Sequence, residues 1–307
     1  RVSVADLFTK ILDINAEPPA EMLASLANYV DESECKQMLE KLAREEDFRR
    51  EWLEQTGVCV RTIFEQFPTL SAIHNRDKTV GVTMLQDILL QIPKLRARFY
   101  SVSSAPDVCG NARFALTVGR LVYRSADNAR INLGFCSDFI ATLPIGTNVT
   151  VELRPAPMFR MPKSNARPII MLCAGTGIAP FKGFVDQLTA RSEPGAETWL
   201  IYGCRTRSNE LYAQDMRLAE QSGHLTKYLV AYSREEGQLK TYVDAKMRQH
   251  ADDIRRLVLN EDAHVYVCGD VRIETSVQTA LTEIMGGPEA FRALERSNKY
   301  HLDIFGA

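Results

Sequence analysis

A glycine-rich segment in the second half of the chain has the composition of a phosphate-binding turn. Gly175-Thr176-Gly177 follows the apolar run Pro168–Cys173 and precedes Pro180. Glycines let the backbone approach a diphosphate closely, and a helix starting near Pro180 would add free N–H groups and the positive end of its dipole. A tight turn that needs only positive φ has the same residues, so both interpretations stay open.

Hydroxyl and cationic side chains follow the next two apolar runs. Arg205 comes after the run Trp199–Gly203. The candidate phosphate ligands after the run Tyr228–Ala231 are Ser233, Arg234, Lys240 and Tyr242. A hydroxyl with two cations suits the 2′-phosphate of NADPH, whereas an NAD site would use an acidic residue for the ribose hydroxyls. The cluster favours NADPH over NADH, and a solvated basic loop is the alternative for Ser233-Arg234 alone.

A fourth apolar run ends in a thiol. The run Val265–Cys268 is followed by Gly269 and Asp270. A free cysteine in such a run is usually buried filler. Ligands of open parallel sheets bind at the carboxyl ends of the strands, so four strand ends with such residues predict a dinucleotide site.

Two earlier segments have residues suited to a second diphosphate. Arg98-Phe99-Tyr100-Ser101 offers a guanidinium, a flat ring and hydroxyl groups within four positions. Gly134-Phe135-Cys136-Ser137 is a glycine followed by a predicted helix start, whose N–H groups could bind phosphate. An aromatic strand in the core and a capped turn are the respective alternatives.

The elements that must position these segments change in type along the chain. In residues 1–93 apolar residues such as Leu23 and Leu26 recur at helical spacing, which predicts helices. From Arg98 the apolar period becomes two, and short alternating runs predict an antiparallel β-barrel. After Pro168, strand-length apolar runs alternate with amphipathic segments of helix length, which predicts an open parallel sheet with helices on both faces.

The predicted fold is therefore α/β plus an antiparallel β-barrel. Its three parts are a helical region over residues 1–93, a partial barrel over 94–162, and a doubly wound parallel-sheet domain over 163–307. The polar stretch Lys163–Arg167 is the predicted linker.

Composition limits the classes of protein to which the chain can belong. It has 307 residues, with 37 Lys and Arg against 39 Asp and Glu, a balance that gives no general attraction to nucleic acid or anionic membranes. No apolar run reaches the length of a membrane span. Seven cysteines without a CxxC pair argue against a disulfide framework or a metal site and favour the reducing cytoplasm. The chain begins with Arg1, so we expect it to be part of a longer protein.

Taken together, and in this order, these segments resemble the ferredoxin–NADP reductase superfamily and specifically its diflavin reductases. The segments that carry the resemblance are RFYS from Arg98, GFCS from Gly134, CAGTGIAPF from Cys173, YGCR from Tyr202, SREEGQLKTY from Ser233 and VCGD from Val267. The resemblance covers essentially the whole chain, because the helical first part is similar to the connecting insertion of diflavin reductases.

The resemblance implies cofactors and a role for each matched residue. FAD contacts are implied for Arg98, Phe99, Tyr100, Ser101, Thr117, Gly119, Gly134, Phe135, Cys136 and Ser137. NADPH contacts are implied for Gly175, Thr176, Gly177, Arg205, Ser233, Arg234, Lys240, Tyr242 and Asp244. The residues implied along the hydride path are Ser101, Cys268, Asp303 and Phe305, with Phe305 as the terminal aromatic that covers the flavin.

The implied activity is hydride transfer from NADPH to FAD, with single electrons passing onward. FMN in a flavodoxin-like domain outside this chain and a downstream haemoprotein are the implied partners. The Asp303-Ile304-Phe305-Gly306 ending and the segment from Phe67 through Asp107 look like nitric-oxide synthase reductase regions. The alternatives are a haemoprotein, sulfite or methionine-synthase-type reductase, which differ in electron acceptor, and a truncated module that binds nucleotide without turnover.

Three departures from the family pattern stand out. The first barrel strands should precede Arg1, so the barrel is expected to have open edges. Ala174 replaces a glycine before the Gly-Thr-Gly turn, a small change that we expect to be tolerated. Asp244 stands where a glutamine is usual, and its charge is expected to weaken NADPH binding by repelling the 2′-phosphate.

Overall fold

The computed structural model describes residues 3–31, 33–124, 131–162, 164 and 166–306. The chain forms two compact units, one of residues 1–99 with 120–142 and the other of residues 100–119 with 143–307. Two residues of the predicted linker, at positions 163 and 165, lie outside the described residues. Within the described ranges, no helix combines the length and the apolar character that crossing a membrane would require.

Helices make up most of the described secondary structure. They are α1 (Val4–Asp6), α2 (Ala20–Ala27), α3 (Ser33–Arg44), α4 (Glu46–Thr56), α5 (Ile63–Gln66), α6 (Pro68–Arg76), α7 (Lys78–Leu89), α8 (Pro106–Cys109), α9 (Phe135–Thr142), α10 (Ala179–Thr189), α11 (Ala213–Gln221), α12 (Val243–Gln249), α13 (Ala251–Leu259), α14 (Val271–Met285) and α15 (Pro288–Arg296). A π-helical turn covers Leu7–Ile11, and 3₁₀ turns cover Gly175–Ile178 and Arg207–Asn209.

The described strands form two sheets. They are β1 (Val122–Arg124), β2 (Ile131–Leu133), β3 (Ile169–Ala174), β4 (Thr198–Cys204), β5 (Lys227–Tyr232), β6 (His264–Asp270) and β7 (Tyr300–Phe305). β1 pairs with β2 in an antiparallel ladder, and the other five strands form a parallel sheet in the order β5-β4-β3-β6-β7.

The first unit is a helical assembly around one apolar core, as the spacing of its apolar residues predicts. Met22, Leu26, Ile63 and Leu70 are fully buried in that core. Pro68 is the first residue of α6, two positions after the end of α5. Proline is tolerated at a first helical position, where its missing N–H would have no partner within the helix.

The predicted barrel is only partly represented by paired strands. Within the described part of residues 94–162, the antiparallel pairs are β1 with β2 and a single bridge between Val102 and Leu116. Val149 and Leu153 lie in no strand, and their side chains are 47% and 68% exposed. An alternating apolar run becomes a strand only where a neighbouring strand pairs with its N–H and C=O groups. The complete barrel therefore stays a prediction.

The parallel sheet confirms the prediction for the second half of the chain. All four predicted apolar runs are strands, and the C-terminal segment adds β7 at one edge. Side chains alternate between two faces: Leu172 and Val267 pack with α12 to α15, whereas Met171 and Tyr266 pack with α10 and α11. Each strand has an apolar run because both of its faces are covered.

Candidate active site

The strand order reverses between β3 and β6, which is where open α/β sheets bind ligands. The 3₁₀ turn after β3 lies at this point and leads into α10. Gly175 has a φ of +57°, and a Cβ added there would meet no atom within 4 Å. At Gly177 an added Cβ would lie 2.3 Å from the carbonyl oxygen of Cys268. Glycine therefore has a different role at each position. Gly175 leaves one face of the turn open, and Gly177 allows the turn to pack on the end of β6.

The predicted FAD-contacting strand segment touches this turn. A Cβ added to Gly119 would lie 3.2 Å from Cγ2 of Thr176, so the Gly119 backbone lies close to the Thr176 side chain. The Thr117 hydroxyl forms a 2.6 Å hydrogen bond with the Tyr212 hydroxyl. Both contacts lie within the second unit, so it brings residues assigned to FAD next to a residue assigned to NADPH.

Three of the four residues predicted along the hydride path are joined through one oxygen atom. Oδ2 of Asp303 accepts a hydrogen bond from the Ser101 hydroxyl at 2.5 Å and contacts Sγ of Cys268 at 3.8 Å. Cys268 and Asp303 lie opposite each other in the β6–β7 register. Burial, and then the Asp303 carboxylate, raise the pKa of the Cys268 thiol, which stays a neutral S–H donor.

The fourth residue of that prediction, Phe305, ends β7 and lies opposite Asp270 in the register. Its side chain is 42% exposed. The Asp270 carboxylate caps α14 by accepting the N–H groups of Arg272 and Ile273, which fixes the start of that helix beside the end of β6.

The candidate 2′-phosphate residues lie where β4 and β5 end side by side. The N–H of Ser233 donates to the carbonyl of Cys204 at 3.0 Å, and the N–H of Arg234 donates to the carbonyl of Arg205 at 2.8 Å. These bonds extend the β4–β5 pairing beyond the strands. They bring the backbone of Arg205, assigned to the NADPH diphosphate, next to that of Ser233 and Arg234.

The loop after Arg234 returns to the end of β5. The N–H of Thr241 donates to the carbonyl of Tyr232 at 3.0 Å, so Lys240 and Tyr242 come back beside the residue that precedes Ser233. The Lys240 ammonium lies 5.0 Å from the centre of the Tyr242 ring. The four predicted 2′-phosphate ligands therefore gather at one strand end.

Asp244 has a cationic partner in Arg248, four positions further along α12. Its Oδ2 accepts a 2.6 Å hydrogen bond from Arg248, whose Nε donates to Glu283 at 2.7 Å. This pairing compensates part of the Asp244 charge, which reduces the repulsion of a nearby phosphate that Asp244 alone would produce.

The segment around Gly134 forms a compact start for α9 in the first unit. The Ser137 hydroxyl is buried, accepts the N–H of Leu121 at 3.0 Å and donates to the carbonyl of Gly134 at 3.2 Å. A Cβ at Gly134 would lie 2.7 Å from the Leu121 Cβ, so only glycine fits there. The first N–H groups of α9, from Phe135 to Ser137, have no carbonyl partner within the helix and could bind an anion.

The remaining predicted FAD residues come from the Arg98–Ser101 segment. The Arg98 guanidinium donates to the carbonyl of Arg96 at 2.9 Å. Phe99 is 69% exposed, and Tyr100 is half-buried. Arg98 and Phe99 belong to the first unit, whereas Tyr100 and Ser101 belong to the second.

The chemistry of these residues fits two dinucleotide cofactors. The open face at Gly175 and the helix start behind it suit a diphosphate, and the cations beside Ser233 suit a further phosphate. The start of α9 in the first unit suits a second diphosphate. FAD and NADPH have these groups.

Sequence reasoning missed several residues of the site. Tyr212, Glu210 and Arg248 act through side-chain contacts with residues distant in the sequence, at Thr117, Tyr232 and Glu283. Only Arg248 had a readable signal, since it lies four positions after Asp244 on a predicted helix.

Two family models match the chain. The FAD binding domain matches residues 1–139, and the oxidoreductase NAD-binding domain matches residues 171–279. The first covers the helical core and the start of α9, and the second covers β3 to β6 with the turn at Gly175.

Curated relatives match almost the whole chain. A nitric oxide synthase-like protein of Bombyx mori is 33% identical over 99% of the chain, and the chain covers 28% of that protein. A Bombyx mori nitric oxide synthase is 30% identical over 99% of the chain and 26% of its own length. The inducible nitric oxide synthase of Bos taurus is 33% identical over 99% of the chain and 27% of its own length. The chain thus spans roughly a quarter of the relatives it matches and belongs to the diflavin reductase family, as part of its FAD- and NADPH-binding region.

Proposed function

We propose that this chain is an NADPH-dependent flavoprotein reductase module that passes reducing equivalents from NADPH through FAD to a one-electron acceptor. The observation that carries the proposal is the junction of Ser101 and Cys268 on one oxygen of Asp303, in the unit that also holds the 2′-phosphate cluster. FMN in a flavodoxin-like domain is the proposed acceptor, followed by a haemoprotein, as in the reductase region of a nitric-oxide synthase.

Binding is assigned to the residues already described. Arg98, Tyr100 and the N–H groups at the start of α9 are assigned to FAD. Thr176 and Arg205 are assigned to the NADPH diphosphate, and the cluster of Ser233, Arg234, Lys240 and Tyr242 is assigned to its 2′-phosphate. We retain residues 1–93, 94–162 and 163–307 as the proposed domains, and we propose the cytoplasm as the compartment, because all seven cysteines are free thiols.

The proposed redox role rests on the contacts that Asp303 makes with Ser101 and Cys268. Asp303 orients the Ser101 hydroxyl and the Cys268 thiol, so their dipoles are fixed before reaction and can stabilise a change of charge at the reacting atoms. Phe305, at the exposed end of the same strand, would shield those atoms from water. Bound FAD would supply the exchange between a two-electron donor and one-electron acceptors.

The proposal is tested on the purified chain incubated with FAD. We expect a yellow protein that reduces ferricyanide with NADPH and much more slowly with NADH. Asp303→Asn is expected to lower the rate by about 100-fold at unchanged FAD content, because a neutral amide oxygen is a weaker acceptor than a carboxylate oxygen for both donors. A protein that stays colourless and inactive with added FAD would overturn the proposal, and it would favour a module that binds nucleotide without turnover.

A further inference from the structure

A buried carboxylate lies just beyond the end of β4. The Glu210 side chain is only 2% exposed and follows the 3₁₀ turn Arg207–Asn209. A buried carboxylate is costly unless hydrogen-bond donors surround it. Its burial therefore indicates that its surroundings are built to hold it.

Three donors bind this carboxylate. Oε1 accepts from the Arg217 guanidinium at 2.7 Å and from the Tyr228 hydroxyl at 3.0 Å, and Oε2 accepts from the Tyr232 hydroxyl at 2.6 Å. Arg217 supplies the compensating charge. Burial, and then the bond to Glu210, raise the pKa of Tyr232 to about 12, so its hydroxyl remains a donor at neutral pH.

Tyr232 stands at the centre of the candidate 2′-phosphate site. It is the last residue of β5, its carbonyl accepts the N–H of Thr241, and Ser233 follows it directly. The Arg207 guanidinium lies 5.4 Å from the centre of its ring. The segment that follows Tyr232 and the segment that returns to it therefore both include residues assigned to the 2′-phosphate.

The segment after β4 and the loop after β5 are further joined by Glu235. Its carboxylate accepts the backbone N–H of Arg207 at 2.7 Å, in addition to the backbone bonds from Ser233 and Arg234 to Cys204 and Arg205. Glu235 is 21% exposed, whereas the Glu210 side chain, which accepts from Tyr232, is 2% exposed.

We propose that Tyr232, held by Glu210, is a positioning residue that sets the selectivity of this chain for nucleotides with a 2′-phosphate. The inference rests on the proposed function, because the phosphate ligands are those assigned to NADPH. Tyr232 acts by fixing the backbone from which Ser233 and Arg234 project. Without its hydroxyl bond, that backbone can move, and a site that reads a phosphate through several donors loses affinity when their spacing changes.

Tyr228 provides a matched control within the same strand. Its hydroxyl donates to the same carboxylate, and its side chain is buried, whereas that of Tyr232 is partly buried. It lies four residues earlier in β5, about 13 Å from Tyr232 along the strand. Tyr228→Phe and Tyr232→Phe thus remove the same kind of bond from Glu210, but only Tyr232 adjoins the phosphate ligands.

The test measures binding of 2′,5′-ADP and 5′-AMP to the wild type and both variants by calorimetry. These probes need neither FAD nor turnover, and they differ only in the 2′-phosphate. We expect Tyr232→Phe to weaken 2′,5′-ADP binding about tenfold, which corresponds to about 1.4 kcal/mol, and 5′-AMP binding less than about twofold. Tyr228→Phe should change both affinities by less than about twofold. It should lower the thermal midpoint of unfolding by an amount similar to that caused by Tyr232→Phe.

The outcomes separate this inference from the proposed function. Equal loss of 2′,5′-ADP affinity in both variants would mean that Glu210 supports the sheet as a whole. Unchanged affinity in Tyr232→Phe would mean that the backbone of Ser233 and Arg234 keeps its position without the Tyr232 hydroxyl bond. Either result overturns the positioning role. A wild type that binds both probes equally would instead contradict the assignment of the 2′-phosphate site.

Discussion

Asp303 and Glu210 have the same structural role at two places in the chain. Each carboxylate accepts hydrogen bonds from donors on segments that are distant in the sequence. Asp303 holds Ser101 and Cys268, and Glu210 holds two tyrosines with an arginine. A satisfied buried polar network permits few alternative geometries, since each displaced donor leaves a costly unpaired group.

Arg234 offers the most direct residue-level test of cofactor choice. Arg234→Ala is expected to weaken NADPH binding by roughly 10- to 100-fold and NADH binding by less than about twofold, because only NADPH has the phosphate that a guanidinium pairs with. Dissociation constants measured for both nucleotides check this. Arg292→Ala, at an exposed arginine of α15 paired with Glu289, is the control and should leave both unchanged. An equal loss for NADPH and NADH would show that the 2′-phosphate pocket has been misplaced.

At the scale of elements, the turn after β3 depends on how closely it packs on β6. Gly177→Ala would force a Cβ against the Cys268 carbonyl, which should lower the free energy of unfolding by about 3 kcal/mol. Gly175→Ala is the matched change in the same turn, and its positive φ should cost only about 1 kcal/mol, because its Cβ would meet nothing. Urea denaturation of the two variants measures both. Similar losses would argue that the close approach at Gly177 does not determine the turn.

The parallel sheet was predictable because its strands are buried on both faces. Runs such as Trp199–Gly203 are apolar throughout, and glycine, serine or arginine marks where each run ends. The gathering of Ser233 with Lys240 followed from the short loop between them. These signals are local, so a single sequence contains them.

Long-range partners and strand pairing were not predictable in this way. Val149, Val151 and Leu153 alternate as a strand would, but pairing depends on a neighbour that the pattern does not specify. Glu210 gives no sign of burial, because its donors lie 7, 18 and 22 residues away. The compensation of Asp244 likewise depends on Glu283, 39 residues further along the chain, which holds Arg248 in place.

For the molecule as a whole, two histidines link β6 and β7 to the segment before the parallel sheet. Nδ1 of His301 donates to the carbonyl of Met158 at 2.7 Å, and its Nε2 lies 3.0 Å from Nδ1 of His264. The Tyr266 ring stacks on His301 at 4.3 Å. Burial lowers the pKa of both histidines, and His301 and Arg167 lower that of His264 further.

Stability should therefore fall as the solution becomes acidic. The unfolded chain binds protons at these histidines near pH 6.5, whereas the folded chain resists protonation until lower pH, so stability is full above about pH 6.5 and is lost below it. Chemical denaturation between about pH 7.5 and 5 measures the slope. His301→Asn should flatten the curve below about pH 6.5, and an unchanged slope would exclude the pair as its source.

The hydrogen bond between Ser101 and Asp303 joins residues 202 positions apart. During synthesis the serine leaves the ribosome before the aspartate, so the two meet only after β7 has taken its place at the edge of the sheet. Nascent chains that stop before β7 would contain the turn at Gly175 and the arginines after β4 and β5 but lack the carboxylate that holds Ser101 and Cys268. The order of synthesis thus places the junction of Ser101, Cys268 and Asp303 after the synthesis of the other four strands of the parallel sheet.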